Sequence, residues 1–120
     1  MKDEKSILYV VTTDESEKQY SPLVLAQTAK MMDLKPMIYY LGTSLKILKP
    51  GEAEKIKLGS FPSVVEMLKK TIDMGIPVYV CEASKQMLGL EKVELISGVK
   101  IVGAATLNDL ALDASATMWF

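Results

Sequence analysis

The sequence predicts an α/β protein, a three-layer α/β/α sandwich around a mainly parallel five-stranded sheet. Three observations carry this expectation. Short runs of β-branched and aromatic residues recur along the 120 residues, bounded by Gly, Pro or polar turns. These runs are continuously apolar rather than alternating, as strands covered on both faces are. Segments with helix-start and helix-stop residues lie between them.

Residues 6–13 are the first such run, and residues 14–19 a polar, exposed turn. Pro22 suits the first turn of a helix running to about residue 33. With Leu23, Val24, Leu25, Ala26, Met31 and Met32, that helix is apolar nearly all round. One face should meet the sheet, and self-association is the plain way to cover the surplus. Residues 37–41 form a second strand closed by Gly42 and Thr43, followed by a helical turn over 44–48. Residues 49–60, with Pro50, Gly51 and Gly59, read as the one long, mobile loop. Ser63 and Glu66 have capping-box spacing, starting a helix that runs to Met74 and stops at Gly75. Val64, Val65, Leu68 and Ile72 are its expected inward stripe. A third strand over 77–81 leads to a short helix over 84–88, ended by Gly89. A fourth strand follows over 99–102, then a helix capped by Thr106 and Asp109 and running through about Ala114. Residues 117–120 are a final strand or a packed apolar terminus, with Trp119 and Phe120 as packing anchors. No repeat, low-complexity stretch or linker divides the chain, so residues 1–120 are expected as a single domain. Strand order stays open at this point.

Composition excludes several chemistries. All fourteen cations are lysines, and there is no histidine and no arginine. Ser-His-Asp and Cys-His pairs, imidazole metal ligands and bidentate guanidinium clamps are therefore ruled out. The net charge of −1 argues against nucleic acid as the main partner. One cysteine makes neither an internal disulfide nor a chelating pair. The charged start, Met1 to Lys5, does not read as a signal peptide. No apolar stretch approaches the roughly 20 residues that span a bilayer. A soluble, cytoplasmic protein without cofactor or metal is expected.

The candidate chemistry converges on Cys81, at the end of the third strand. In open parallel sheets, reactive groups gather past the carboxyl ends of the strands. A thiol facing the start of a helix is biased toward thiolate by free N–H groups. A lone Cys in an apolar run is nonetheless more often a small core residue than a nucleophile. Its place at the end of the strand, rather than within it, favours function. The other strand ends contribute Thr13, Asp14, Gly42, Thr43, Glu82, Ser84 and Gly103 as the expected pocket. Glu82 works against a thiolate unless it points away. The carboxylates of Asp14, Glu15 and Glu17 would repel a flavin phosphate, and no P-loop or dinucleotide fingerprint is present. A phosphoacceptor domain would want an aspartate where Cys81 stands. Lys46, Lys49, Lys55 and Lys57 read either as a solvated loop or, foremost Lys46 and Lys49, as a surface steering anions. Met87 is either core or a wall of the thiol pocket.

These segments, in this order, resemble the DsrE/DsrF-like family of small sulfur-relay proteins. The resemblance is carried by the acidic turn 14–17, the Ala-containing first helix, and Gly42 after the second strand. It continues with the helix ending at Gly75, the strand ending at Cys81, and then Ser84 with Leu88 and Gly89. Leu95 to Val99, Val102 with Gly103, Leu107 to Leu112 and Phe120 extend it over nearly the whole chain. It implies a flavodoxin-like, DsrE-like sandwich and a trimeric or hexameric assembly of like subunits. It also implies a cysteine, here Cys81, that carries persulfide or thiosulfate-type sulfur between donor and acceptor proteins. Peroxidase activity is not supported, because Val78 and Met74 stand where a peroxidatic site would have Thr or Ser and Pro. The rivals are a binding module for a small anion or nucleotide-like ligand with an inert Cys81, and a structural subunit of a sulfur-relay complex.

Overall fold

Every strand of the sheet runs parallel in the computed structural model, which describes residues 4–120. Of the charged start read above, residues 1–3 lie outside the described residues. The strands are β1 (Ser6–Val11), β2 (Lys35–Tyr40), β3 (Val78–Cys81), β4 (Lys100–Val102) and β5 (Ala116–Trp119), in the order β4-β3-β2-β1-β5. The helices are α1 (Tyr20–Met31), α2 (Val64–Asp73), α3 (Glu82–Met87) and α4 (Ala104–Asp113).

Period-two alternation divides β1, β2 and β3 between two cores. Tyr9, Val11, Ile38, Tyr40, Val78 and Val80 face the larger one, filled by Leu23 and Ala26 of α1 and Val64 and Leu68 of α2. Leu8, Val10, Tyr39 and Cys81 face the smaller one, under Leu107, Leu110 and Ala111 of α4. The result is the expected three-layer α/β/α sandwich. Gln27 on α1 donates to the Thr71 hydroxyl (3.0 Å) and the Met67 carbonyl (3.2 Å), a buried polar tie between α1 and α2.

Several expectations need correction. The first strand ends at Val11, two residues early, and α1 begins at Tyr20, so Pro22 is its third residue. That position is still within the first turn, where a missing N–H costs nothing. The apolar surplus of α1 is small, because its bulk is buried and only Leu25 and Met31, with Met32 just beyond, stay exposed. The loop over 49–60 is anchored rather than free. It contains a 3-10 turn (Ala53–Lys55), buries Ala53 and Ile56, and is tied down where the Leu58 N–H donates to the Tyr20 hydroxyl. On α2 the buried residues are Val64, Met67, Leu68 and Thr71, with Val65 and Ile72 half-buried. The helix after Cys81 starts at Glu82, not Ser84, and α4 starts at Ala104 behind Gly103, not at Thr106. Trp119 is no anchor: β5 is an edge strand, and 55% of that side chain's residue surface is exposed. Phe120 does pack against the larger core. No helix among the described residues is long and apolar enough to cross a membrane.

Candidate functional site

Strand order explains why Cys81 is singular. The chain leaving β3 packs Leu88, Leu90 and Leu95 on the α1/α2 side of the sheet, whereas the chain leaving β4 carries α4 to the opposite side. Adjacent parallel strands whose continuations part to opposite faces open a crevice at their carboxyl ends, the usual ligand position in such sheets. Cys81 ends β3 at this point, in register with Val102 of β4.

Because α3 begins at Glu82, Cys81 itself is the helix N-cap, with extended backbone (φ −74°, ψ 118°). Its side chain is buried, with 8% of the residue surface exposed. Burial pushes the thiol up. The Ser84 hydroxyl and N–H, the Tyr39 hydroxyl and the Ala83 N–H oppose this by donating to the ionised sulfur, and they win. The thiol is therefore held below its ordinary value of 9.0. Ser84 is itself fixed. Its Oγ accepts the Gly42 N–H at 2.8 Å, which leaves its own proton free for the sulfur.

Gly42 follows β2 at φ +64°, a left-handed conformation that favours glycine, and an added Cβ would stand 3.3 Å from the Thr12 carbonyl oxygen. The next residue, Thr43, is exposed and reaches the same carbonyl with its hydroxyl at 3.4 Å. Gly103, the N-cap of α4, accepts the Tyr39 hydroxyl at 3.2 Å. Gly42 is thus tied to Ser84, Gly103 to Tyr39, and Thr43 to the Thr12 carbonyl.

The other expected residues do not join them. Thr13 accepts the Glu15 N–H at its hydroxyl and the Gln19 amide at its carbonyl (2.8 Å), so it serves the turn into α1. Asp14 is exposed on that turn. Glu82 is exposed and lines a hollow of about 260 Å³ with Lys85, Gln86, Glu91 and Ile101, and it does not bear on the thiol. Lys46 is exposed, while Lys55 pairs with Glu52 at 2.8 Å and Lys49 adds its charge to that same carboxylate. Lys49 and Lys55 therefore serve the loop's own ion pairing, and Lys46 lies on the exposed side of the 3-10 helix before it (Gly42–Leu48). Met87 is 82% exposed and walls nothing. A cavity of about 600 Å³ between α2 and residues 94–98 does not include Cys81. Among the described residues, no group of three or more Cys, Asp or Glu is placed to hold a metal ion.

Two residues were not singled out by sequence. Tyr39 of β2 shares the smaller core with Cys81, and its hydroxyl is one of the donors that hold the thiol down. A hydroxyl in a continuously apolar strand, which needs a partner when buried, was the available signal. Gln19 is 1% exposed and braces the acidic turn through its amide, with Oε1 left unpaired. Nothing in the sequence marked it.

Comparison with known proteins adds to this geometry. A family model described as the DsrE/DsrF-like family matches residues 5–120. The uncharacterized protein MJ0760 of Methanocaldococcus jannaschii is 30% identical over 118 residues, which is 98% of this chain. The chain spans only 43% of that relative's length. MJ0989 of the same organism is 31% identical over 94 residues, covering 78% of this chain and 76% of that protein. Among solved structures, the E. coli ychN protein superposes with a TM-score of 0.77 at 17% identity, covering 98% of this chain and 100% of ychN. A protein of unknown function, BT1422 from Bacteroides thetaiotaomicron, gives 0.74 at 15% identity, covering 97% and 95% of the two chains. At such identities the likeness is one of fold.

Proposed function

The chain belongs to the DsrE/DsrF-like family, and from that premise we propose that it is a sulfur-relay protein whose Cys81 accepts and passes on sulfane sulfur. Family membership supports a general carrier role and dealings with sulfur donor and acceptor proteins. The observation that carries the specific reading is the thiol itself. It is the one cysteine of the chain, set at the switch point of the sheet and held toward thiolate by Ser84, Tyr39 and the α3 backbone.

The Cys81 thiolate attacks the outer sulfur of a donor persulfide. The donor's S–S bond breaks, the donor leaves as a thiolate, and the proton of the transferred sulfur passes to that thiolate, so that Cys81 becomes a perthiolate. No net oxidation occurs, because one sulfane sulfur changes hosts. The Ser84 hydroxyl and the N–H groups of Ala83 and Ser84 hold the negative charge. An acceptor thiolate then attacks the outer sulfur and releases Cys81 as thiolate. Thiosulfate-type sulfur would enter by the same attack, with sulfite leaving. A reducing, cytoplasmic setting fits a chain with no possible internal disulfide.

Assembly of like subunits, as a trimer or hexamer, belongs to the same proposal. Leu112 on α4 is 83% exposed, and Trp119 on β5 stands on the same side of the sheet, in register with Val10. Large exposed apolar groups of this kind mark contact surfaces. This favours the α4 and β5 side over α1.

A second reading, a binding module with an inert thiol, is favoured by the slight exposure of Cys81 and by a larger cavity elsewhere. Intact mass spectrometry of non-reduced protein after polysulfide or tetrathionate separates the two. The carrier gains reductant-labile mass on Cys81 alone, loses it to an acceptor thiol, and shows none as Cys81→Ser. A thiol that reacts only after denaturation sinks the carrier.

A further inference from the structure

We propose that the Tyr39 hydroxyl is a positioning donor for Cys81 that exchanges one acceptor, the Gly103 carbonyl, for another, the charged sulfur. The inference rests on the carrier reading and deepens it.

Tyr39 is fully buried on the α4-facing side of β2, in the same small core as Cys81. Its ring packs beside that of Tyr79, its register partner on β3, with centroids 6.3 Å apart and planes tilted by 33°. The hydroxyl extends past Tyr79 to donate to the Gly103 carbonyl at 3.2 Å. Gly103 follows Val102, the register partner of Cys81, so carbonyl and sulfur lie within reach of the same phenol.

A phenol carries one proton to donate. Against a neutral thiol, a weak acceptor, the carbonyl takes it. Against a thiolate or perthiolate, the charge-assisted bond is the stronger one. The proton stays on oxygen throughout, and no covalent bond changes. Burial first, then the charge and hydrogen bond of Cys81, push the Tyr39 hydroxyl up to about 12, so it remains a donor while the thiol ionises.

The carbonyl is not orphaned by the exchange. It keeps the Thr106 N–H, which donates to it at 3.1 Å in the first turn of α4. The groups that bear on the sulfur are uncharged, Ser84 and Ala83 from α3 besides Tyr39, with Val102 from β4 and Leu107 and Leu110 from α4 in the same core. Glu82 of α3 and Asp109 and Asp113 of α4 are exposed, and Lys85 is half-buried. Tyr79 also packs against this core. The charge of the sulfur is therefore answered by dipoles alone, and Tyr39 is the one that comes from across the sheet.

Tyr39→Phe removes the hydroxyl and keeps the ring. The rate of Cys81 alkylation by iodoacetamide, followed by mass spectrometry across pH, should fall about tenfold near neutrality, with its rise displaced to higher pH. Superimposable profiles for the folded variant and wild type overturn the inference. If the variant does not fold, wild-type protein carrying 13C at tyrosine Cζ decides by NMR. One resonance should titrate together with Cys81 and cease to do so in Cys81→Ser; its absence overturns the inference. Neither measurement needs a sulfur donor. A Cys81 that titrates with Tyr39 yet never takes up sulfane sulfur overturns the carrier reading alone. Sulfur uptake at an unchanged rate in Tyr39→Phe, with the alkylation profile also unchanged, overturns this inference alone.

Discussion

A thiol held below its unfolded value makes stability depend on pH with a definite sign. The native chain gives up the Cys81 proton before the unfolded chain does, so this group adds stability above the unfolded value. The contribution fades as pH falls through the native value. Under reducing conditions, the melting temperature of wild type relative to Cys81→Ser should rise from neutral pH toward pH 9, as read by thermal denaturation. A flat difference would mean an un-ionised thiol. Ser84→Ala should be felt twice. It removes a donor to the sulfur, slowing alkylation about tenfold, and it strips the Gly42 N–H of its acceptor, costing about 1–3 kcal/mol in denaturant unfolding. At this scale Cys81 was legible because it is unique and ends an apolar run. Ser84 was legible as part of the following helix start. Tyr39 was not, because which residues of β2 share a face with Cys81 depends on strand pairing that no local pattern encodes.

Helix ends and strand exits set the element scale. The Ser63 hydroxyl accepts the Glu66 N–H at 3.3 Å, and its own proton goes to the Glu66 carboxylate at 3.2 Å. The box is thus closed side chain to side chain rather than through the Ser63 backbone. Ser63→Ala should cost about 1 kcal/mol in chemical denaturation and leave Cys81 reactivity unchanged. Gly98 lies against α2 with φ +95°, and an added Cβ would fall 2.7 Å from Ile72 Cγ2. Gly98→Ala should destabilise by about 1–3 kcal/mol and disturb the cavity beside α2 without touching the thiol. Capping spacing found α2, since Ser63 and Glu66 stand three apart. It misplaced α4, where Thr106 and Asp109 imitate a cap but Gly103 is the true one. Extended backbone alone makes Gly103 a cap, and its side chain supplies nothing to read.

Over the whole molecule, alternating strands and helices gave the layers, while the order β4-β3-β2-β1-β5 came only from long-range pairing. That order creates the switch point at Cys81 and leaves β5 on an edge with Trp119 half bare. If like subunits meet there, Trp119→Glu combined with Leu112→Glu should lower the sedimenting mass to that of a single chain while the circular dichroism stays native. An unchanged mass would move the contact elsewhere. The position of β5 also governs how the chain is made. During synthesis β1 can pair with β2 within some thirty residues, and β3 and β4 then add outward on one side. The other edge of β1, the backbone of Ile7 to Val10, waits for residues 116–119 to emerge from the ribosome. Throughout that interval the nascent protein carries an apolar strand with open backbone groups, the kind of template onto which neighbouring chains add. Whatever slows translation between β4 and β5 lengthens the time in which a chaperone must shield it.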